Sequence, residues 1–187
     1  MASERGAGPG LKGIRRVAVV GCGGAGKSTF SRRLGELLDL PVVHLDRHYW
    51  RPGWVETPDE DFRATQRALV RAERWVIDGN YAGTMDVRLP VADLIVFLDF
   101  PRWRCLFRVA RRTVRGWGRD GQAPGCPERL DWEFLRWLWD WPRDARPRVL
   151  ARLDEHGARA RRITLSTPRE VRDFLGRLRS GDRPRGE

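Results

Sequence analysis

Apolar residues fall along this chain in short, β-branched runs separated by longer stretches with a helical period. Arg15-Arg-Val-Ala-Val-Val-Gly21 is such a run, closed by glycine, and predicts a buried parallel strand. Phe30, Leu34, Leu37 and Leu38 follow at i, i+4, i+7 and i+8, the spacing of one helix face. Residues 41–46 predict a second strand. Thr57-Pro-Asp-Glu60 has a capping-box start, with Thr57 as cap and Pro58 in the first turn, and predicts a helix to about residue 73. Residues 75–78 predict a third strand and residues 93–100 hold a fourth. A helix is expected from 101 to about 115, then a Gly- and Pro-containing loop over 116–127. Helices over 131–141 and 143–156 lead to a fifth strand, 161–166, and Thr167-Pro-Arg-Glu170 repeats the capping-box start. Strands alternating with helices predict a parallel α/β sheet with right-handed crossovers.

Length and composition narrow the class. A chain of 187 residues suits one domain with a real core, here residues 15–179, between a disordered lead-in (1–14) and a loose tail (180–187). The formal charge is +11, from 36 basic and 25 acidic residues, and every basic residue except Lys12 and Lys27 is arginine. Much of that excess fits a GC-rich genome, yet an arginine-covered surface still attracts phosphates and carboxylates. The apolar runs are too short to cross a bilayer, and the first residues have no apolar core of a secretory signal. Cys22, Cys105 and Cys126 are odd in number and far apart, which suits neither a disulfide framework nor a zinc site. Reduced thiols in a cytoplasmic protein are expected.

The first strand runs into Gly21-Cys-Gly-Gly-Ala-Gly26-Lys27-Ser28, which matches the phosphate-binding pattern G-x-x-x-x-G-K-[ST] at every fixed position. Gly21, Gly23, Gly24, Ala25 and Gly26 let backbone N–H groups converge on phosphate oxygens, and the helix that opens near Lys27 adds its positive end. Lys27 supplies a point charge to the β/γ oxygens; Ser28, beside Thr29, offers a hydroxyl to Mg2+. The bland alternative is a glycine turn, but the strand before the motif and the amphipathic helix after it favour nucleotide binding. Asn80 is the one asparagine in the chain, so the Asn-Lys-x-Asp guanine motif is absent and ATP is the expected nucleotide.

With these residues in view, the chain resembles the adenylate kinase and shikimate kinase group. His44-Leu-Asp-Arg-His-Tyr-Trp50, Trp75-Val-Ile-Asp-Gly-Asn-Tyr81 and Pro124-Gly-Cys-Pro-Glu-Arg-Leu-Asp-Trp132 look most like small bacterial adenylate kinase-like, FlaR-type topology-modulation proteins. The resemblance covers about residues 15–178. It implies a three-layer P-loop NTPase fold with a five-stranded parallel sheet in the order 2-3-1-4-5 and a helical lid, inserted over about 116–145. It implies that Asp78 stands near Mg2+, and a carboxylate at a buried strand end beside the loop could hold a hard cation; it could equally be a turn aspartate before Gly79. Adenylate kinases continue Asp-Gly with Phe-Pro-Arg where this chain has Asn80-Tyr81, a departure that counts against AMP as acceptor.

For Asp46, at the end of the second strand, the resemblance implies the aspartate that orients or deprotonates the acceptor in kinases of hydroxyl groups, with a metal or structural role as the alternative. On the helix from 101, Arg104, Arg108, Arg111, Arg112 and Arg115 share about a third of the circumference, with Trp103, Leu106, Phe107, Ala110 and Val114 on the other side. The resemblance implies that arginines here and in the lid clamp transferring phosphate, with Arg108 and Arg112 ahead of Arg111 and Arg119; a solvated basic face is the alternative. Trp132, Phe134, Leu135, Trp137, Leu138, Trp139 and Trp141 surround their helix and need cover on more than one face, from a closing lid or from a local core with Trp50 and Trp54. The expected function is transfer of the γ-phosphoryl of ATP, with Mg2+, to a small acceptor carrying a hydroxyl. An ATP-binding regulator of DNA topology and a nucleoside monophosphate kinase are the alternatives, and a nucleic-acid partner is the less favoured reading.

Overall fold

A computed structural model describes residues 13–121 and 123–180; nearly all of the expected lead-in, and the tail from 181, lie outside the described residues. Five parallel strands form one sheet: β1 (Arg16–Gly21), β2 (Val42–His44), β5 (Trp75–Asp78), β6 (Leu94–Leu98) and β7 (Arg161–Leu165). Two further strands, β3 (Trp50–Arg51) and β4 (Val55–Glu56), pair as a small antiparallel hairpin of their own. The sheet order is β2-β5-β1-β6-β7, which is the expected 2-3-1-4-5 when the five sheet strands are counted in sequence. Every residue of β6 is buried, so both faces of the sheet are covered, as continuous β-branched runs require. Phe30 of helix α1 (Lys27–Leu38) meets Phe174 of helix α8 (Pro168–Arg179) with ring centroids 6.0 Å apart.

Topology positions the site. From β1 the chain crosses outward past β5 to β2, and later returns on the other side to β6, so the strand order reverses at β1. In open α/β sheets ligands bind in the crevice at the carboxyl ends of the strands at such a point. The register brings the right residues to that edge: Val19 pairs with Asp78, His44 with Asp78, and Gly21 with Leu98.

Several local expectations change. The second strand stops at His44, and Asp46 opens a one-turn helix, α2 (Asp46–Tyr49), so Asp46 sits just past the strand end. Thr57 does not cap its helix; its hydroxyl donates to the His48 carbonyl and ties the hairpin back to α2, while α3 (Asp59–Leu69) starts with no side-chain cap. The second capping box does form: Thr167 Oγ1 accepts from the Glu170 N–H, and Glu170 reaches back to the Ser166 N–H.

The helix from 101 departs most. In α5 (Arg102–Gly116) the buried residues are Cys105, Val109 and Thr113, whereas Trp103, Phe107 and Val114 are exposed, contrary to the expected apolar side. The reason is close approach. A Cβ on Gly24 would meet the Cys105 carbonyl oxygen at 2.5 Å and the Val109 side chain at 2.8 Å, so only slim residues fit against the loop and the bulky ones face outward. All three cysteines are free and buried. Among the described residues no helix is long and apolar enough to cross a membrane.

Candidate functional site

The loop between β1 and α1 is shaped by backbone conformation. Gly24 has φ +74° and Gly26 φ +92°, a left-handed region open to glycine at little cost, and Gly26 is the N-cap of α1 with no side-chain cap. The first N–H groups of α1 are thus left facing the loop, the arrangement an anion needs. Lys27 Nζ donates to the carbonyls of Gly21 and Cys22, at 3.1 Å each, which holds the ammonium over the loop. Ala25 is buried behind it, and Thr29 lies exposed on the next turn of α1.

Beside the loop, Ser28 Oγ donates to Asp78 Oδ1 at 3.4 Å, and Asp78 Oδ2 is 2.6 Å from His44 Nδ1. Asp78 is 1% exposed, so its two oxygens are aimed by these partners rather than by water. The set is a hydroxyl and a carboxylate, both hard oxygen donors, and it fits a small divalent cation that takes its other ligands from phosphates and water. No cluster of three or more His, Cys, Asp or Glu side chains suited to a metal exists among the described residues, so the cation would depend on a bound polyphosphate.

Across the crevice, the Tyr81 hydroxyl donates to Asp46 Oδ1 at 2.6 Å. Burial, and next the Asp46 carboxylate, push the Tyr81 phenol far above its usual range, so it stays a proton donor to Asp46. Tyr81 itself is held at φ +25°, a conformation a bulky residue rarely adopts. Arg88, in the short helix α4 (Met85–Arg88), accounts for that. Its fully buried guanidinium donates to the carbonyls of Gly79 and Asn80, to Gln66 Oε1 and to Thr84 Oγ1, clamping the turn that follows Asp78. Desolvation lowers its pKa to about 10, so it remains a cation at neutral pH. Arg88 escapes a sequence reading because one arginine in Met-Asp-Val-Arg carries no pattern. Asn80 Oδ1 is likewise buried without a hydrogen-bond partner, on the wall of the same crevice.

Of the arginine stripe, α5 brings two members to the site. Arg108 Nη1 donates to the Ala25 carbonyl of the loop at 2.9 Å, and Arg112 lies 2.8 Å from Glu128 Oε1 on the cavity wall. Arg111, Arg115 and Arg119 are exposed and are not among the residues of the cavity wall. The tryptophan-rich segment forms α6 (Trp132–Asp140), capped by Asp131, whose side chain accepts from the Phe134 N–H at 2.9 Å. This helix lies over the loop: a Cβ on Gly23 would meet Phe134 at 2.7 Å and Leu138 at 3.0 Å. Phe134 stacks on Trp137, and Trp137 packs edge-on against the buried Trp141, whereas Trp132 and Trp139 stay exposed. The helix is therefore covered by the loop on one side and partly open on the others.

Together these elements enclose a cavity of about 820 Å³, whose walls include Gly23, Lys27, Asp46, Tyr81, Arg112 and Phe134. The volume is in the range of small-molecule sites. A second, shallower groove of about 590 Å³, between Arg32, Asp39 and Arg74, lies away from this chemistry.

Comparison with solved structures agrees with this architecture. The chain is similar to a shikimate kinase from Acinetobacter baumannii in complex with shikimate (TM-score 0.57, 19% identity, 91% of this chain and 93% of that one). It is also similar to a sugar kinase from Janibacter sp. HTCC2649 (TM-score 0.54, 18% identity, 90% and 96%) and to a gluconokinase from Sinorhizobium meliloti 1021 (0.53, 14%, 90% and 91%). The fold is that of the P-loop small-molecule kinases. Among curated sequences, the uncharacterized protein YqaC of Bacillus subtilis (strain 168) is 26% identical over 125 residues, 66% of this chain and 70% of that protein. No protein-family model matches the chain. The closer likeness to topology-modulation proteins rests on the three sequence segments alone.

Proposed function

We propose that this protein transfers the γ-phosphoryl group of ATP to a hydroxyl group of a small molecule. The observation that carries the reading is that the phosphate loop and Asp46 open onto one cavity, with Gly23 and Lys27 on one side and Asp46, held by Tyr81, on the other. A donor bound on the loop would thus present its terminal phosphorus toward the carboxylate. Asp46 orients the acceptor hydroxyl and takes its proton as the new O–P bond forms, while Lys27, Arg108 and Arg112 stabilise the charge on the transferring group. Ser28 and Asp78 would hold Mg2+ together with the nucleotide, and the ion would supply further neutralisation of phosphate charge. Helix α6 over the loop keeps water from competing with the acceptor.

The test is incubation of the protein with γ-labelled ATP and a metabolite extract, with mass spectrometry of the labelled products. A phosphomonoester is expected, and Lys27→Ala should reduce its rate by roughly 10²–10³-fold without unfolding the chain. Salt-dependent duplex DNA binding with no labelled product would overturn the reading in favour of a nucleic-acid-linked regulator. Fast ADP formation from ATP and AMP would identify a nucleoside monophosphate kinase instead.

A further inference from the structure

The acceptor end of the cavity is built from one short segment plus Tyr81, and its chemistry is unusual for a site that binds an acid. Trp50 and Glu56 are directly opposed across the β3–β4 hairpin, so their side chains leave the same face. Tyr49 packs edge-on against Trp50, with centroids 4.9 Å apart, and lies 4.7 Å from Tyr81; Trp50 packs edge-on against Trp54 at 5.4 Å. The four rings form a continuous wall, and Asp46, Glu56 and Arg129 are charged groups that line the cavity beside it.

The wall is held at a conformational cost. Trp54 has φ +62°, in the left-handed region, and its indole N–H donates to the Pro127 carbonyl at 3.0 Å. A bulky residue adopts that backbone only where its surroundings impose it. Trp54 and Tyr81 are two of three non-glycine residues with positive φ among those described, and both line this end of the cavity. The strain aims the rings.

Aromatic faces carry negative quadrupole charge, and the two carboxylates beside these rings add to it, so the faces favour organic cations. The chain already uses one ring so: the Arg129 guanidinium lies over Trp54, 5.9 Å from its centroid. Burial, and next the neighbouring Glu56 carboxylate, push the Tyr49 phenol up to about 12.

We infer that the acceptor is an ammonium alcohol: a small molecule whose cationic nitrogen sits in the Tyr49–Trp50–Trp54–Tyr81 cage beside Glu56 while its hydroxyl reaches Asp46. The inference rests on the phosphotransfer reading above. The alcohol oxygen attacks the γ-phosphorus; its O–P bond forms as the bond to the β–γ bridging oxygen breaks, and ADP leaves with that electron pair. The alcohol proton passes to Asp46 and then to water, giving ADP and a phosphomonoester.

The test is a tryptophan-fluorescence titration of the full chain at constant ionic strength with three probes. They are choline, its uncharged isostere 3,3-dimethylbutan-1-ol, and the hydroxy acid glycerate. Choline is expected to bind at least tenfold more tightly than the isostere, and glycerate not to saturate. Glu56→Gln, an exposed change compatible with folding, should reduce that preference at least threefold, and Trp54→Phe should weaken the fluorescence response. Equal binding of choline and isostere, tighter binding of glycerate, or no response to any probe overturns the inference. A parallel assay with γ-labelled ATP separates the two claims. Transfer to glycerate without a cation preference overturns the cage and leaves the kinase. A cation preference with no transfer to choline, ethanolamine or other amino alcohols overturns the acceptor assignment and leaves a cation site.

Discussion

The two halves of the cavity are made in different ways. The donor half is one run of eight residues, and its shape comes from the backbone: positive φ at Gly24 and Gly26, loop carbonyls around Lys27, and helix N–H groups facing the loop. The acceptor half has no such continuity. Its rings and carboxylates come from α2, the β3–β4 hairpin and the turn after β5, and it is held by side-chain contacts, among them those of Tyr81 with Asp46 and Tyr49 and of Trp54 with the Pro127 carbonyl. A backbone-built site is sensitive to any added Cβ, whereas a side-chain-built one depends on a few anchoring groups. That contrast is open to direct attack.

The largest effect is expected from Gly24→Ala. The new methyl group would meet the Cys105 carbonyl at 2.5 Å in a backbone conformation already unfavourable for alanine. A loss of roughly 3 kcal/mol, together with the loss of nucleotide binding, should follow. Calorimetry should show a melting temperature lower by roughly 6–12 °C. If the variant is as stable as the parent, the loop is not packed on α5 as described.

Next comes Arg88→Met on the acceptor side. Removing the guanidinium leaves Gln66 and the Gly79 and Asn80 carbonyls buried without their donor, at a cost of about 3 kcal/mol. Because the clamped turn carries Tyr81, transfer should suffer while nucleotide binding at the loop survives. That split, read by nucleotide titration against transfer rate, separates the two halves; equal loss of both would join them.

Tyr81→Phe is a finer cut. It removes the 2.6 Å hydrogen bond to Asp46 and little else, so stability should change by about 1 kcal/mol and transfer should fall roughly tenfold. A wild-type transfer rate would remove Asp46 from the acceptor's path.

The smallest effect is spectroscopic. Tyr49 and Tyr81 are the only tyrosines in the chain, so phenolate absorbance reports on the acceptor wall alone. Both phenols hold their protons more tightly in the fold than in the unfolded chain, first because they are buried and then because of Glu56 and Asp46. The contribution of Tyr49 to stability is complete below about pH 10 and is lost as the pH rises through about 12, and that of Tyr81 persists to higher pH. The native chain should therefore show almost no phenolate at pH 10, where free tyrosine is half ionised. Half-ionisation at pH 10 in the folded protein would mean that the wall is open to water.

How much of this was legible in the sequence follows the same division. Five strands and their order could be anticipated because β-branched runs and glycine-closed strand ends are local signals, and a likeness to known kinases supplied the order. The loop was legible for the same reason: its chemistry sits on neighbouring residues. Asp46 and Asp78 were found at strand ends, though Asp46 stands just past its strand, as the first residue of α2. The apolar side of α5 was misjudged, since residue type at helical spacing does not reveal that the facing loop admits slim side chains only. Thr57 misled in another way: its hydroxyl found a carbonyl across the hairpin rather than its own helix start.

That a phosphate-binding loop follows a central parallel strand is encoded locally, because backbone dihedrals and hydrophobic period are properties of consecutive residues. What the loop faces is set by long-range packing. Arg88 under the Asp78–Tyr81 turn, Tyr81 on Asp46 and the rings of α2 and the hairpin meet through contacts between residues tens of positions apart, and no local pattern encodes such contacts.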